Sequence, residues 1–272
     1  MATESPSPPP PTWAVLVTFV IATFAIVVTS LFAGLLLHSL DPDVPPLETL
    51  QGLRGLIAGG LASSTALVLT LVGAARGLTL ARLRLVPGRE TGRDLVVAIV
   101  GVLSLGQALD SATLLTGLAE RGSSMPVIRK ALGGISGPDL FVAVVTIGVL
   151  AGVAEEMFFR SYMQSMLRER WRPWIAVLIT SACFGVLHLD VVHGPLAMVL
   201  GLYLGFVTER AGSALPAVTC HVVNNAVFIV LTAVVGSLGG RELNLALGSG
   251  ATVVFIGCVA WLRGSLEASP RV

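Results

Sequence analysis

Apolar residues fall into eight runs along this chain, separated by short polar or charged stretches. The runs are Trp13–Leu37, Leu53–Ala75, Leu95–Leu118, Leu140–Met163, Trp174–Leu189, Pro195–Thr208, Leu215–Val235 and Leu243–Leu262. Within them apolar and polar residues do not alternate, as the strands of a membrane barrel require. In hydrocarbon every backbone N–H and C=O must be satisfied inside its own segment, so such runs are read as helices. A helical crossing takes roughly 20 residues. The fifth and sixth runs stand at the lower limit, so one of them is expected to be tilted, broken or only partly crossing. The pattern therefore predicts an all-α, polytopic transmembrane helical bundle of about eight spans, with seven as the alternative count.

Composition agrees with that solvent. Apolar residues make up 54% of the chain and charged residues 12%, against about 25% charged in an average soluble domain. The mean hydropathy is +0.86. A net charge of +1 suggests no special partner, and no basic patch reads as a nucleic-acid surface. Cys183, Cys220 and Cys258 each lie inside an apolar run and form no C-x-x-C pair, so they are read as small buried hydrophobes. The start of the chain, Met1–Thr12, is Pro- and Ser-rich without Lys or Arg. It is expected to be a disordered tail before a retained first span, since a secretory leader needs a basic start and a short apolar region. The chain divides accordingly into a tail (1–12), N-terminal transmembrane helices (13–135), a helical core (136–236) and a last span with a short tail (237–272).

Orientation follows from Lys and Arg near span ends. With both termini on one side, that side receives Arg76, Arg82, Arg84, Arg89, Arg93, Arg168, Arg170, Arg172, Arg210, Arg263 and Arg271. The other receives Arg54, Arg121, Arg129, Lys130 and Arg241. The imbalance predicts cytoplasmic termini.

Charge inside hydrocarbon costs several kcal/mol per residue and usually marks function. The fourth run carries Glu155, Glu156 and Arg160 together. Glu156 and Arg160 are four apart and share a helix face, so they are expected to pair. Glu155, about 100° around the helix, is left to meet another span. Candidates are His188 near the far end of the fifth run, and His221 with Asn225 on one face of the seventh. One Glu, two His and an amide on three spans suit general-base chemistry on a water molecule. A buried His is more often a packing residue, a Glu–Arg pair can be structural, and Asn224 or Asn225 alone can bond between helices. The coincidence of three such groups within spans favours the functional reading.

Other polar residues give weaker signals. Ser104, Gln107, Asp110 and Ser111 form a stripe on the third span, and Asp110 either lines the same cavity or bonds a neighbouring helix. His193, in the short loop after His188, reads as part of a solvated turn. The basic stretch from Arg76 to Arg93 chiefly sets topology, with anionic headgroups as a second reading.

Glu155-Glu156-x-x-x-Arg160, Phe184-x-x-x-His188 and His221-x-x-x-Asn225 resemble the three ordered motifs of the CAAX-protease and bacteriocin-processing (CPBP) family, which includes type II CAAX prenyl endopeptidases and abortive-infection-like membrane proteins. The resemblance covers roughly residues 140–235 and identifies 136–236 as its catalytic core. It implies an intramembrane endopeptidase of glutamate type. In that picture Glu155 and His188 activate the water, His221 and Asn225 stabilise the oxyanion, and Glu156 and Arg160 support them. No cofactor is expected. Zinc on the two His and Glu155 is the runner-up, although H-E-x-x-H is absent. The alternatives are a non-catalytic immunity or scaffold protein of the same fold, and a proton-coupled carrier, which the lack of an internal repeat disfavours. One Lys among 17 basic residues, with abundant Ala, Gly, Val and Leu, suggests a GC-rich bacterium. Prenylated substrates are not expected there, so a peptide precursor or membrane protein in the bilayer is the anticipated substrate.

Overall fold

The protein is described from a computed structural model that covers residues 10–118 and 123–266. The first nine residues of the proline-rich tail, and Arg121 and Arg271 of the charge count, lie outside the described residues. Among those described the chain is helical throughout, with no strand. The elements are α1 (Thr12–Leu40), α2 (Pro46–Gln51), α3 (Leu53–Ala74), α4 (Gly92–Thr116), α5 (Met125–Leu132), α6 (Gly137–Arg168), α7 (Pro173–Leu187), α8 (His193–Ala211), α9 (Leu215–Val234) and α10 (Arg241–Ser265). This is an all-α polytopic membrane protein. Six helices, α1, α3, α4, α6, α9 and α10, are long and apolar enough to cross a bilayer. The two runs expected to be marginal are α7, a shorter apolar helix, and α8, which is not among the six.

Helix starts follow local chemistry. Thr91 and Asp94 cap α4 reciprocally, satisfying backbone donors that have no carbonyl one turn earlier. Prolines in the first turns of α6, α7 and α9 occupy positions where the missing N–H costs nothing. Gly212, left-handed at φ 73°, ends α8.

The arginines gather at one end of the bundle. Arg82 pairs with Glu169, and both Arg84 and Arg168 pair with Glu209. Arg170 donates to the carbonyl of Pro10, and Arg210 to that of Arg263. These contacts tie the start of the chain, the α3–α4, α6–α7 and α8–α9 connections and the end of α10 into one layer. Both ends of the described chain therefore lie on the arginine-rich side. At the opposite end α5 is held by the ion pair of Arg129 with Asp110. Asp110 thus bonds a neighbouring helix, one of its two expected roles.

α6 departs from the regular helix that its residue spacing suggests. It widens to π-helical turns over Val144–Leu150 and Met157–Gln164, on either side of a regular turn at Ala151–Glu156. Such bulges are rare and concentrate at functional sites. Here they flank the turn that carries the two glutamates.

Candidate active site

Small residues on α6 set the site's geometry. A Cβ on Gly152 would stand 3.4 Å from Cα of Val222 on α9, and one on Gly148 would stand 3.5 Å from Cα of Ala226. Glycines four apart thus let two backbones meet, as at small-residue crossings in membranes. This contact brings His221 against the Glu155–Glu156 turn. Gly152→Leu is expected to push α9 away, destabilising the protein by ~1–3 kcal/mol and separating His221 from Glu156. Gly152→Ala, meeting Val222 Cγ2 at 3.3 Å, should be milder. Thermal unfolding alongside an activity assay checks this; a leucine variant as stable and active as the parent would refute it.

The two adjacent carboxylates have different surroundings. Glu156 and Arg160 are fully buried and pair at 3.3 Å. Glu156 Oε1 also accepts a 2.8 Å bond from Nδ1 of His221. The expected Glu156–Arg160 lock is present, and it extends to a third residue. Arg160 donates from Nη2 to the carbonyl of Gly201 on α8 at 3.2 Å and lies over the ring of Phe184, 5.0 Å from its centroid. Glu155 keeps 18% of its side chain exposed and places Oε2 3.6 Å from Nε2 of His221. One imidazole therefore touches both glutamates, one on each nitrogen.

His188 caps the end of α7. Its Nδ1 donates to the carbonyl of Phe184 at 2.8 Å, and in the neutral ring this leaves Nε2 as an acceptor. The Phe184 ring joins the two histidines: its centroid is 4.9 Å from that of His188 and 5.7 Å from that of His221. On span limits alone, His188 is expected deeper in the membrane than His221. The shortness of α7, 15 residues or roughly 22 Å at 1.5 Å per residue, lets Phe184 reach both. Asn225 lies one turn beyond His221 on α9, in a weak 3.5 Å amide contact with Asn224. Glu155, Glu156, Arg160 and His221 are thus in direct polar contact, His188 joins them through Phe184, and Asn225 follows on the same helix.

Two residues outside the motifs belong to this neighbourhood. Gln164 is buried one turn beyond Arg160 and donates to the carbonyl of Gly205 and to Glu209, at 3.1 and 3.0 Å. The spacing of Glu156, Arg160 and Gln164, four and four, was a readable sign of a polar ladder on one face. His193, read from the sequence as part of a solvated turn, instead packs its ring 4.6 Å from that of His188. A position beside a loop aspartate and glycine gave no sign of that contact.

Asp190 organises this loop. Its carboxylate accepts the N–H groups of Val192, His193 and Ser124, at 2.8, 2.6 and 2.6 Å. Burial pushes its pKa upward, but these bonds outweigh it and hold the group at about 2. A carboxyl depressed below its usual value of about 3.9 stabilises the fold above that value and loses the contribution as pH falls through about 2. Asp190→Asn should lower the melting temperature at neutral pH, with the gap to wild type closing between about pH 4 and pH 2. A gap independent of pH in thermal melts would refute this account.

Among the described residues no three His, Cys, Asp or Glu side chains converge in an arrangement that could hold a metal. His221 uses Nδ1 on Glu156, and His188 uses Nδ1 on a backbone carbonyl.

Fold and site together define a multi-pass membrane protein with a buried carboxylate–imidazole cluster on three helices. Residues 137–227, which hold all three motifs, match the family model for type II CAAX prenyl endopeptidase Rce1-like proteins, as the resemblance to the CPBP family implied. That segment is thus similar to a family of CAAX-type proteases. A 24.3 kDa protein of Escherichia coli with no characterised function is 31% identical over 134 residues, 47% of this chain and 56% of its own length. The match thus spans little more than half of that relative.

Proposed function

We propose that the protein is an intramembrane endopeptidase in which Glu155 activates a water molecule. The contact of Glu155 with Nε2 of His221 carries this reading, because Glu155 keeps exposure while Glu156 is taken up by His221 and Arg160. Water would bind between Glu155 and Nε2 of His188. Glu155 takes a proton from it as its oxygen bonds to the scissile carbonyl carbon. The negative oxygen of the tetrahedral intermediate then accepts hydrogen bonds from Nε2 of His221, when protonated, and from the Asn225 amide. Such preorganised donors are usually the largest electrostatic contribution. Collapse breaks the C–N bond, and Glu155 returns the proton to the amine. Glu156 holds the His221 ring through Nδ1 and balances charge on it, as a carboxylate does for the histidine of a serine-protease triad.

The arginine-rich end would face the cytoplasm, of a bacterial cell. The substrate would be a peptide precursor or a membrane protein reached within the bilayer. Comparing membrane proteomes of wild-type and Glu155→Gln cells tests this: uncleaved precursors should accumulate in the variant, and identical proteomes would refute the reading. No metal enters the step. Purified protein should therefore keep its activity after exhaustive chelation, and activity lost to a chelator and restored by zinc alone would overturn that mechanism.

A further inference from the structure

His193 is absent from all three motifs, yet its ring meets that of His188 with centroids 4.6 Å apart and planes inclined by 64°. The loop between them is shaped to make that contact. Leu189, directly after His188, adopts φ 50°, a left-handed conformation that is strained for a side-chain-bearing residue and persists only where its surroundings over-determine it. Asp190 supplies the restraint, binding the backbone of Val192 and His193 within the loop and that of Ser124 outside it. The chain thereby reverses within five residues and returns a second imidazole to the first. No hydrogen bond engages the ring nitrogens of His193 among the described residues; the ring packs on that of His188 with the Asp190 carboxylate nearby.

We propose that His193 is a positioning residue for His188: its ring holds the His188 imidazole in the orientation that keeps Nδ1 on the Phe184 carbonyl and Nε2 free to accept. This rests on the role given to His188 above. His188 is a helix-end residue whose ring is fixed by one hydrogen bond to its own helix and by two neighbouring rings, Phe184 and His193. Removing the second ring frees the imidazole to turn, and small misplacements of a reacting group lower rates steeply.

The experiment uses the full chain in liposomes, labelled with 15N-histidine, with a quenched-fluorescent apolar peptide inserted in the same bilayer as the probe. The four histidines are assigned by single substitution. In the parent, His188 should show one tautomer, protonated at Nδ1. His193→Ala should convert it to a mixture and lower kcat by roughly tenfold, with KM within about twofold. His193→Phe, which restores a ring, should recover both the single tautomer and most of kcat. An unchanged His188 spectrum in His193→Ala overturns the proposal. So does a mixture that persists in His193→Phe when thermal unfolding shows that variant to be folded. If the probe is not turned over, the spectra alone decide. A Glu155→Gln variant with full activity would refute the general-base reading and leave the spectroscopic result standing, so the two failures are distinguishable.

Discussion

Replacing Glu155 with Gln is expected to lower kcat by roughly 10²–10⁴-fold, the range that general-base assistance contributes, while the protein remains folded. The substitution is nearly isosteric, and no side-chain hydrogen bond of Glu155 is seen among the described residues; its Oε2 stands 3.6 Å from Nε2 of His221. Gln can still contact a water but cannot take its proton. KM should change far less than kcat, because the lost interaction matters only as charge develops. The check is turnover in liposomes at matched protein amount, with thermal unfolding as the fold control. Activity within a few-fold of wild type would show that this carboxylate is not the base.

The neighbouring residue should behave in the opposite way. Glu156→Gln removes the anion that faces two fully or nearly fully buried groups, Arg160 and His221. It strands the Arg160 cation among the rings of Phe159 and Phe184, with one backbone carbonyl, that of Gly201, as its hydrogen-bonding partner. Breaking one side of a buried ion pair costs about 3–5 kcal/mol, so this variant should unfold or fail to accumulate. The pair itself is not ideal: it closes at 3.3 Å without hydrogen-bond alignment, and Nη1 of Arg160 is unpartnered among the described residues. Removing both charges, as in Glu156→Gln/Arg160→Met, should therefore recover most of the stability, since an apolar replacement of a buried pair is often neutral or better. Activity should stay low in the double variant, because His221 has lost the carboxylate that balances charge on its ring. Unfolding in graded denaturing detergent, read beside turnover, separates the two effects. A single variant as stable as the parent would contradict the burial argument.

These opposite expectations for adjacent glutamates show how much of the site could be read along the chain. Four-residue spacing alone pairs Glu156 with Arg160, because side chains at that separation share a helix face. The pair is present, although the helix widens just after Glu156. That His221 would contact both glutamates was not readable. It depends on the approach of α9 to Gly148 and Gly152 of α6, a matter of helix crossing rather than of spacing. His193 was misread because a loop histidine beside a glycine looks solvated, and only the turn at Leu189 and the Asp190 bonds bring it back to His188. Asp110 had two readings of equal weight, and its partner Arg129 lies on a short helix that hydropathy did not mark.

The sequence by itself determined the solvent, the helical class and the marginal length of the fifth and sixth runs. Each follows from the cost of exposing backbone polar groups to lipid, a property of single segments. It also singled out the ionisable residues, because charge in an apolar run is costly wherever the run packs. Tertiary structure alone decided which histidine reaches both glutamates, and which histidine nitrogens are occupied. Those outcomes depend on distances of 2.8 and 3.6 Å between different helices, and no pattern within one helix specifies such a distance.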